Sequence, residues 1–265
     1  SISGSSAADR VYDATTTATI TAGSLAGVIG GDTVTVSGTG IFDSKNVGTN
    51  KDVATTYALA GTDGGNYSLA GETLQADISQ KALSISGSSA ADRVYDATTT
   101  ATITAGSLSG VIGGDTVTVS GTGTFDNKNV GTDKDVATTY SLAGTDGGNY
   151  SLAGETLQAD VTQKALTISG SSAANKVYDA NTTATVTAGS LSGVIGGDTV
   201  TVSGTGTFDD KNVGTDKDVT ATYSLAGTDG GNYSLAGETL QADVTQKALG
   251  ISGSSAANKV YDANT

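Results

Sequence analysis

Polar and apolar residues alternate strictly along several short segments of this chain. In Thr116-Val117-Thr118-Val119-Ser120 the valines fall on one face of an extended chain and the hydroxyl side chains on the other. Ala101-Thr102-Ile103-Thr104 follows the same two-residue period. This pattern is typical of strands that are buried on one face, so we predict a β-strand at each segment.

Three further segments complete the predicted strands. Thr139–Leu142 and Tyr150–Leu152 also alternate, and the Gly, Asp and Asn residues within 143–149 favour a hairpin turn between them. Residues 157–161 form the last predicted strand. No segment keeps helical spacing for about ten residues, and residues 107–111 allow at most a turn or two.

A period of 83 residues runs through the whole chain. Tyr12, Tyr95, Tyr178 and Tyr261 are each 83 positions apart. The period gives three complete repeats and the start of a fourth: residues 1–83, 84–166, 167–249 and 250–265. Because a period of this length indicates an array of small domains, we predict an elongated, all-β tandem array of three domains, each a β-sandwich or β-grasp-like.

The joins between repeats lack the composition of a flexible linker. Residues 157–161 lead through 162–165 into an apolar segment at 166–168, with no Pro and no Gly-Ser run. We therefore predict limited bending at each join, with neighbouring repeats of the same chain as partners. Each repeat would advance the array by on the order of 30–40 Å if about ten residues of strand follow its axis.

The composition lacks the side chains that enzymes use most often for catalysis. The chain has no Cys, His, Met, Trp or Pro, whereas Gly occurs 38 times in 265 residues. Since His and Cys are the usual groups for proton transfer and nucleophilic attack near neutral pH, we expect no enzyme and predict no catalytic or cofactor-binding residues. The lack of Cys also suits an exported bacterial protein.

Neither the apolar segments nor the net charge suggests a membrane or a nucleic acid as partner. No apolar run approaches the roughly 20 residues of a membrane span. The formal charge of −14 opposes the phosphates of DNA and RNA. The chain opens on Ser-Ile-Ser-Gly-Ser-Ser without a basic or apolar leader segment, so we expect it to be a piece of a longer protein.

One acidic loop invites comparison with calcium sites. In residues 126–135, Gly131 takes the sixth position of an EF-hand loop, but Lys128 and Val130 stand where oxygen ligands are needed. The first repeat changes other residues of the loop, so at most Asp126, Asn129 and Asp135 would be ligands shared by both repeats. A structural turn with solvated charges is the competing interpretation, and it is the one we favour over calcium.

Two short motifs have both a functional and a structural interpretation. Tyr95-Asp96 is either an exposed glycan-binding pair or, as we favour, a core Tyr followed by an Asp that starts a turn. Asn149-Tyr150-Ser151 matches the acceptor pattern for N-glycosylation. A motif this short beside a predicted hairpin is expected to occur by chance.

Four segments of each repeat, taken in order, carry a family resemblance. In the second repeat they are Val94–Ala101, Gly123–Gly131, Gly148–Leu152 and Ala159–Leu166. They resemble the YDG repeat, which recurs in tandem in very large bacterial surface exoproteins of the filamentous-haemagglutinin kind, beside the related mostly-β-grasp (MBG) repeats. The resemblance covers every repeat from end to end.

Two positions depart from that family pattern. Ala97 stands where the family usually has Gly, which predicts a turn that needs no positive φ. Gln163 stands where a Pro usually precedes Lys-Ala-Leu, which restores a backbone N–H at the join.

The resemblance implies all-β domains strung as a stalk on a cell-surface or secreted bacterial adhesin, outside the cell. It names no catalytic residues. We keep three hypotheses: a structural stalk that spaces a functional region from the envelope, a weak multivalent binder of glycans or host proteins, and an extracellular filament that assembles with like chains through unpaired strand edges.

Overall fold

The computed structural model describes residues 1–264. These residues form two compact units. The first unit comprises Ser1–Arg93, Thr99–Asn127 and Thr132–Asp160, and the second comprises Val94–Thr98, Lys128–Gly131 and the chain from Val161 onward. Two short segments of the second repeat therefore belong with the third repeat.

Twenty-eight strands and three short 3₁₀ turns make up the regular structure of the described residues. The first repeat contains β1 Ile2–Ser3, β2 Ser6–Ala7, β3 Arg10–Val11, β4 Thr17–Thr21, β5 Ser24–Leu25, β6 Thr35–Phe42, β7 Gly48–Ala60, the turn Gly64–Asn66, and β8 Thr73–Ser79. The second contains β9 Lys81–Ser86, β10 Ser89–Ala90, β11 Arg93–Val94, β12 Thr100–Ala101, β13 Ile103–Thr104, β14 Ser107–Ser109, β15 Thr118–Phe125, β16 Gly131–Ala143, the turn Gly147–Asn149, β17 Tyr150–Leu152, and β18 Thr156–Thr162. The third contains β19 Lys164–Ser169, β20 Ser172–Ala173, β21 Lys176–Val177, β22 Thr183–Ala184, β23 Val186–Thr187, β24 Ser190–Ser192, β25 Thr201–Phe208, β26 Gly214–Ala226, the turn Gly230–Asn232, β27 Tyr233–Leu235, and β28 Glu238–Thr245.

Each repeat has one large sheet and one small sheet, and the second and third repeats also have the two-stranded sheets β10-β13 and β20-β23. In the first repeat the large sheet has the order β2-β4-β6-β7-β8-β3, and its edge strand β3 runs parallel to β8. The equivalent orders are β11-β18-β16-β15-β12 and β21-β28-β26-β25-β22. The small sheets are β14-β9-β17 and β24-β19-β27, whereas the first repeat has only β1-β5. The domains are all-β, and their curled sheets make them sandwich-like, as the sequence predicted.

The long antiparallel hairpin of each large sheet carries the core. Along β7 the inward side chains alternate with exposed ones, and Val53 is fully buried. Glycines on β6 make room for the strand beside it, because a Cβ on Gly40 would lie 2.6 Å from Ile20 Cδ1 and 2.8 Å from Val53 Cγ1. The period-two pattern thus places the core as predicted, although β15 begins at Thr118 and not at Thr116.

The predicted hairpin between Thr139–Leu142 and Tyr150–Leu152 is wrong. The first segment lies in β16, which pairs with β15 from Thr118↔Ala143 to Phe125↔Val136. The second segment, β17, pairs in parallel with β9, from Tyr150↔Lys81 to Leu152↔Leu83. The residues between β16 and β17 carry the chain from the large sheet to the small sheet. The partner of β17 lies about 70 residues earlier in the sequence, so a local pattern does not reveal this pairing.

The segment at residues 107–111 likewise forms no helical turn. Ser107–Ser109 is strand β14, which pairs antiparallel with β9. No helix among residues 1–264 has both the length and the apolar character to cross a membrane.

A single residue separates the last strand of one repeat from the first strand of the next. β8 ends at Ser79, β9 begins at Lys81, and only Gln80 lies between them. The strand β9 pairs with β14 and β17 of the second repeat. The division that the period places between residues 83 and 84 therefore lies inside this strand.

The turn after each core tyrosine needs a positive φ, so the expectation drawn from Ala97 is wrong. Ala14 and Ala97 both have φ 64°, and Ala180 has φ 67°. The cause is local, because Asp96 Oδ1 accepts hydrogen bonds from the backbone N–H and the Oγ1 of Thr98, both at 2.9 Å. This tight turn forces the residue between them into the left-handed region, where a Cβ is strained.

We expect Ala97→Gly to stabilise the second repeat by about 0.5–1 kcal/mol, because relief of left-handed strain exceeds the extra entropy of Gly in the unfolded chain. Hydrogen exchange of peptides from the second repeat measures the change. Ala137→Gly, at an exposed position of β16, is the control and should be destabilising by a similar amount. Equal destabilisation by both substitutions would contradict the strain argument.

Candidate functional site: the junction between repeats

Two tyrosines and a buried aspartate form the centre of the junction between the first and second repeats. Tyr12 and Tyr150 are 1 % and 2 % exposed, and their rings meet edge to face with centroids 5.4 Å apart. Both hydroxyls donate to Asp115 Oδ2, at 2.8 Å from Tyr12 and 2.6 Å from Tyr150. One carboxylate therefore joins side chains from both repeats.

Lys45 of the first repeat enters an acidic pair of the second. Its Nζ lies 3.0 Å from Asp115 Oδ1 and 2.9 Å from Asp146 Oδ1. Asp115 is 3 % exposed and Asp146 is 11 % exposed at their side chains. The positive charge of the ammonium group compensates two carboxylates that would otherwise repel each other in this largely buried site.

Amide groups extend the contact on the same side. Asn149 Oδ1 accepts a hydrogen bond from the backbone N–H of Val47 at 3.0 Å, and its Nδ2 donates to Asn46 Oδ1 at 3.2 Å. Gln80, the residue between the two repeats, donates from Nε2 to the carbonyl oxygen of Gly148 at 3.1 Å. Directional bonds of this kind fix orientation as well as proximity.

The apolar core runs across this junction without a break. Tyr12, Phe42 and Ile78 of the first repeat share one cluster with Leu83 and Tyr150. Val47 of the first repeat and Leu108, Leu142 and Leu152 of the second repeat pack against this cluster. Burial of apolar surface supplies the general stabilisation of the junction, and the polar network selects its geometry.

The same arrangement recurs 83 residues later, within the second unit. Lys128 Nζ lies 2.9 Å from Asp198 Oδ1 and 3.1 Å from Asp229 Oδ1. Tyr95 and Tyr233 repeat the edge-to-face contact at 5.4 Å, and both donate to Asp198. The amide bonds recur too, from the Val130 N–H to Asn232, from Asn232 to Asn129 and from Gln163 to Gly231. Two independent occurrences show that the contact belongs to the repeat.

The network shifts the pKa of its members in opposite directions. Hydrogen bonds from Tyr150 and then Lys45, acting against burial, hold the pKa of Asp115 below its ordinary value. The backbone N–H of Thr116 and the ammonium of Lys45 lower the pKa of Asp146. Hydrogen bonds to Asp146 and Asp115 raise the pKa of Lys45. All three groups are therefore charged at neutral pH.

These shifts predict a junction that is insensitive to pH over a wide range and weakens in acid. A lowered Asp pKa gives stability that is complete above the unfolded value of about 3.9 and is lost as the pH falls through the folded value. A raised Lys pKa gives stability that is complete below about 10.4 and is lost at higher pH. Hydrogen exchange at the junction should thus report constant stability from about pH 5 to 9 and a decline below about pH 4. In Asp115→Asn that decline should be smaller, and an equal decline would assign it to other carboxylates.

Of the candidate calcium residues, Asp126 and Asn129 lie between β15 and β16 and Asp135 lies within β16. The three have different partners. Asp126 pairs with Lys134 at 2.7 Å, Asn129 accepts a hydrogen bond from Asn232, and the backbone carbonyl of Asp135 accepts the N–H of Asp126. No cluster of three or more acidic side chains that could hold a metal ion occurs within residues 1–264. Calcium binding stays the alternative that the sequence analysis did not favour.

The two short motifs have structural roles. Tyr95 is buried and Asp96 closes the following turn, as the structural interpretation predicted. Asn149, the candidate glycosylation acceptor, is 5 % exposed and forms part of the junction.

Sequence reasoning missed the lysine and the two aspartates of the junction. The sequence analysis considers Lys128 only as a residue that stands where calcium would need an oxygen ligand. Their recurrence at the 83-residue period was the available signal, but their partners in the neighbouring repeat lie 70 to 103 positions away.

Comparison with known proteins agrees with the repeat structure. The YDG domain family matches residues 1–75, 79–158 and 162–241. No curated protein matches the chain. Two solved structures align weakly: Drosophila N-cadherin EC1-4, with 11 % identity over 92 % of this chain and 73 % of that chain at a TM-score of 0.29, and Drosophila N-cadherin EC1-3, with 10 % identity over 75 % and 77 % at 0.20. The chain belongs to the YDG domain family and contains three of its domains in tandem.

Proposed function

We propose that this chain is a structural spacer, a stalk segment of a bacterial cell-surface or secreted adhesin that holds a functional region away from the envelope. The observation that carries the proposal is the recurrence of one junction, with the same ion pairs and ring contacts, at both joins. A spacer needs joins that resist bending, and a packed core with directional bonds supplies that resistance.

The proposed role is non-catalytic and extracellular. The chain lacks His and Cys. Its acidic junction residues stay ionised and bound to lysine and tyrosine partners, which leaves them unsuited to proton transfer near neutral pH. Near-identical repeats suit a spacer because its length can change by whole units.

Insertion of one more copy of residues 84–166 into the chain tests the proposal. Small-angle scattering should show the maximum dimension growing by a constant increment, on the order of 30–40 Å. A glycan array and a host-cell binding assay should detect no binding by either the original chain or the chain with the inserted repeat. Binding that strengthens with the number of repeats would instead favour the multivalent binding module, and a maximum dimension that does not grow would exclude the spacer.

A further inference from the structure

Parallel strand pairs join the first strands of the third repeat, which lies wholly within the second unit, to its last strands. β19 opens the repeat and pairs in parallel with β27. β21 pairs in parallel with the final strand β28, at Lys176↔Val244 and Val177↔Thr245. The parallel pairs β3·β8 of the first repeat and β9·β17 of the second occupy equivalent places. Each pair therefore connects an early strand of its repeat with a late one.

Tension along the chain would load these pairs lengthwise. The chain enters β21 at the start of the strand and leaves β28 at its end, and in a parallel pair those two points lie at opposite ends of the ladder. Pulling them apart slides one strand along the other, so all hydrogen bonds between the strands carry the load together. When the two neighbouring free ends of an antiparallel hairpin are pulled apart, the bonds instead open one after another. A parallel pair between entry and exit therefore resists extension of the chain.

Further hydrogen bonds extend the short pair β21·β28. The backbone N–H of Asp243 donates to Asn175 Oδ1 at 2.7 Å, and the backbone N–H of Tyr178 donates to the carbonyl oxygen of Thr245 at 2.9 Å. Thr245 Oγ1 donates to the carbonyl oxygen of Lys176 at 3.2 Å. The equivalent three bonds occur between β3 and β8 of the first repeat. The contact thus reaches one residue beyond each end of the two-residue strand β21.

The side chain of Lys176 ties β21 to the strand that follows it. Its Nζ donates to the carbonyl oxygens of Asn181 and Thr183 at 2.8 and 3.1 Å and forms an ion pair with Asp179 at 2.7 Å. The ammonium group also lies 5.6 Å from the centre of the buried Phe208 ring. Arginines at the equivalent positions of the first and second repeats lie over phenylalanine rings in the same way. β21 therefore cannot be drawn out without breaking contacts to β22 and to the core.

We propose that the parallel pairs β19·β27 and β21·β28 form a mechanical clamp, which lets the repeat bear tension along the chain. The inference rests on the proposed stalk function, because a stalk held at both ends is stretched between them. It adds load bearing to that role, since a stalk that only sets a distance needs no clamp. Resistance to force is governed by the rate of unfolding, so the clamp can be tested apart from the equilibrium stability of the repeat.

Single-molecule force spectroscopy of the 265-residue chain tests the clamp through the direction of pulling. Since the chain has no Cys, two handles can be attached at introduced thiols alone. Handles at Ala165→Cys and Gln246→Cys, both exposed positions, pull the parallel pairs lengthwise. Handles at Thr183→Cys and Gln246→Cys peel the large sheet open, because β22 begins and β28 ends at the same end of that sheet.

We expect the lengthwise rupture force to be at least about twice the peeling force at the same pulling speed. The length of chain released identifies each event. Lengthwise pulling frees roughly 80 residues, or about 270–290 Å of extended chain, and peeling frees roughly 60 residues, or about 210–230 Å. Equal forces in the two directions, or a higher force for peeling, would overturn the proposal. Neither result changes how the molecule lengthens with added repeats, so the spacer and the clamp can fail separately.

Two lysine variants separate the clamp from general stability. Lys176→Met removes the polar bonds that tie β21 to β22, whereas Lys217→Met removes ion pairs with Asp209 and Asp210 beside the connection between β25 and β26. The two lysine side chains are 15 % and 10 % exposed, which makes them a matched pair. Only Lys176→Met should lower the lengthwise rupture force. An equal fall in both variants, or no fall in Lys176→Met, would contradict the assigned clamp.

Discussion

Tyr150→Ala is expected to lower the free energy of unfolding of the second repeat by about 3–5 kcal/mol, as truncation of a buried aromatic side chain usually does. Tyr150 is 2 % exposed, packs against Tyr12 and donates to Asp115. The substitution opens a cavity in the core that both repeats share.

Tyr67→Ala is the matched control for this prediction. Tyr67 is the equivalent residue and donates to Asp32 in the same way, but it is only partly buried in the part of the chain that the structure describes. We expect a loss of only about 1–2 kcal/mol, mainly from its hydrogen bonds and partial burial. Hydrogen exchange, read on peptides from the first and second repeats, measures both changes, and equal losses would mean that the junction adds little stability.

Asp115→Ala is the second substitution expected to have a large effect, about 3–5 kcal/mol, because it leaves buried partners of a charged group without compensation. Asp115 accepts from Tyr12, Tyr150 and Lys45, so its loss removes bonds within the second repeat and across the junction. Lys45 would then face Asp146 alone.

Asp32→Ala separates the contribution of the bonds within one repeat from that of the bonds across the junction. Asp32 accepts from Tyr67 but has no partner from another repeat within residues 1–264, so we expect a loss of about 1–2 kcal/mol. Exchange of the backbone amides of β16 and β7 compares the two variants. If Asp32→Ala lowered the free energy of unfolding as much as Asp115→Ala does, Asp115 would stabilise its own repeat only and add nothing across the junction.

The strands could be predicted because their signal is local. The alternation at residues 157–161 corresponds to β18, and the inward face of β16 carries Val136 and Tyr140 as buried residues. The 83-residue period likewise identified the tandem repeats, and the resemblance to the YDG repeat is confirmed.

The errors arose where the structure depends on partners distant in sequence. β17 pairs with a strand that enters from the preceding repeat, so the local Gly-rich segment was mistaken for a hairpin turn. Ala97 adopts a left-handed conformation because Asp96 closes the turn over it, although Ala itself does not favour that region. Lys128 binds two aspartates that lie 70 and 101 positions later, and no pattern around the lysine indicates them.

The central claim is that the junction holds the first and second repeats in one fixed orientation. Since the chain has no Cys, spin labels can be attached to Thr39→Cys and Thr122→Cys, equivalent exposed positions of β6 and β15 in the first unit. Pulsed dipolar spectroscopy should give one narrow distance distribution, and Lys45→Glu, which sets a third carboxylate beside Asp115 and Asp146, should broaden it. A broad distribution in the chain that keeps Lys45 would contradict the claim.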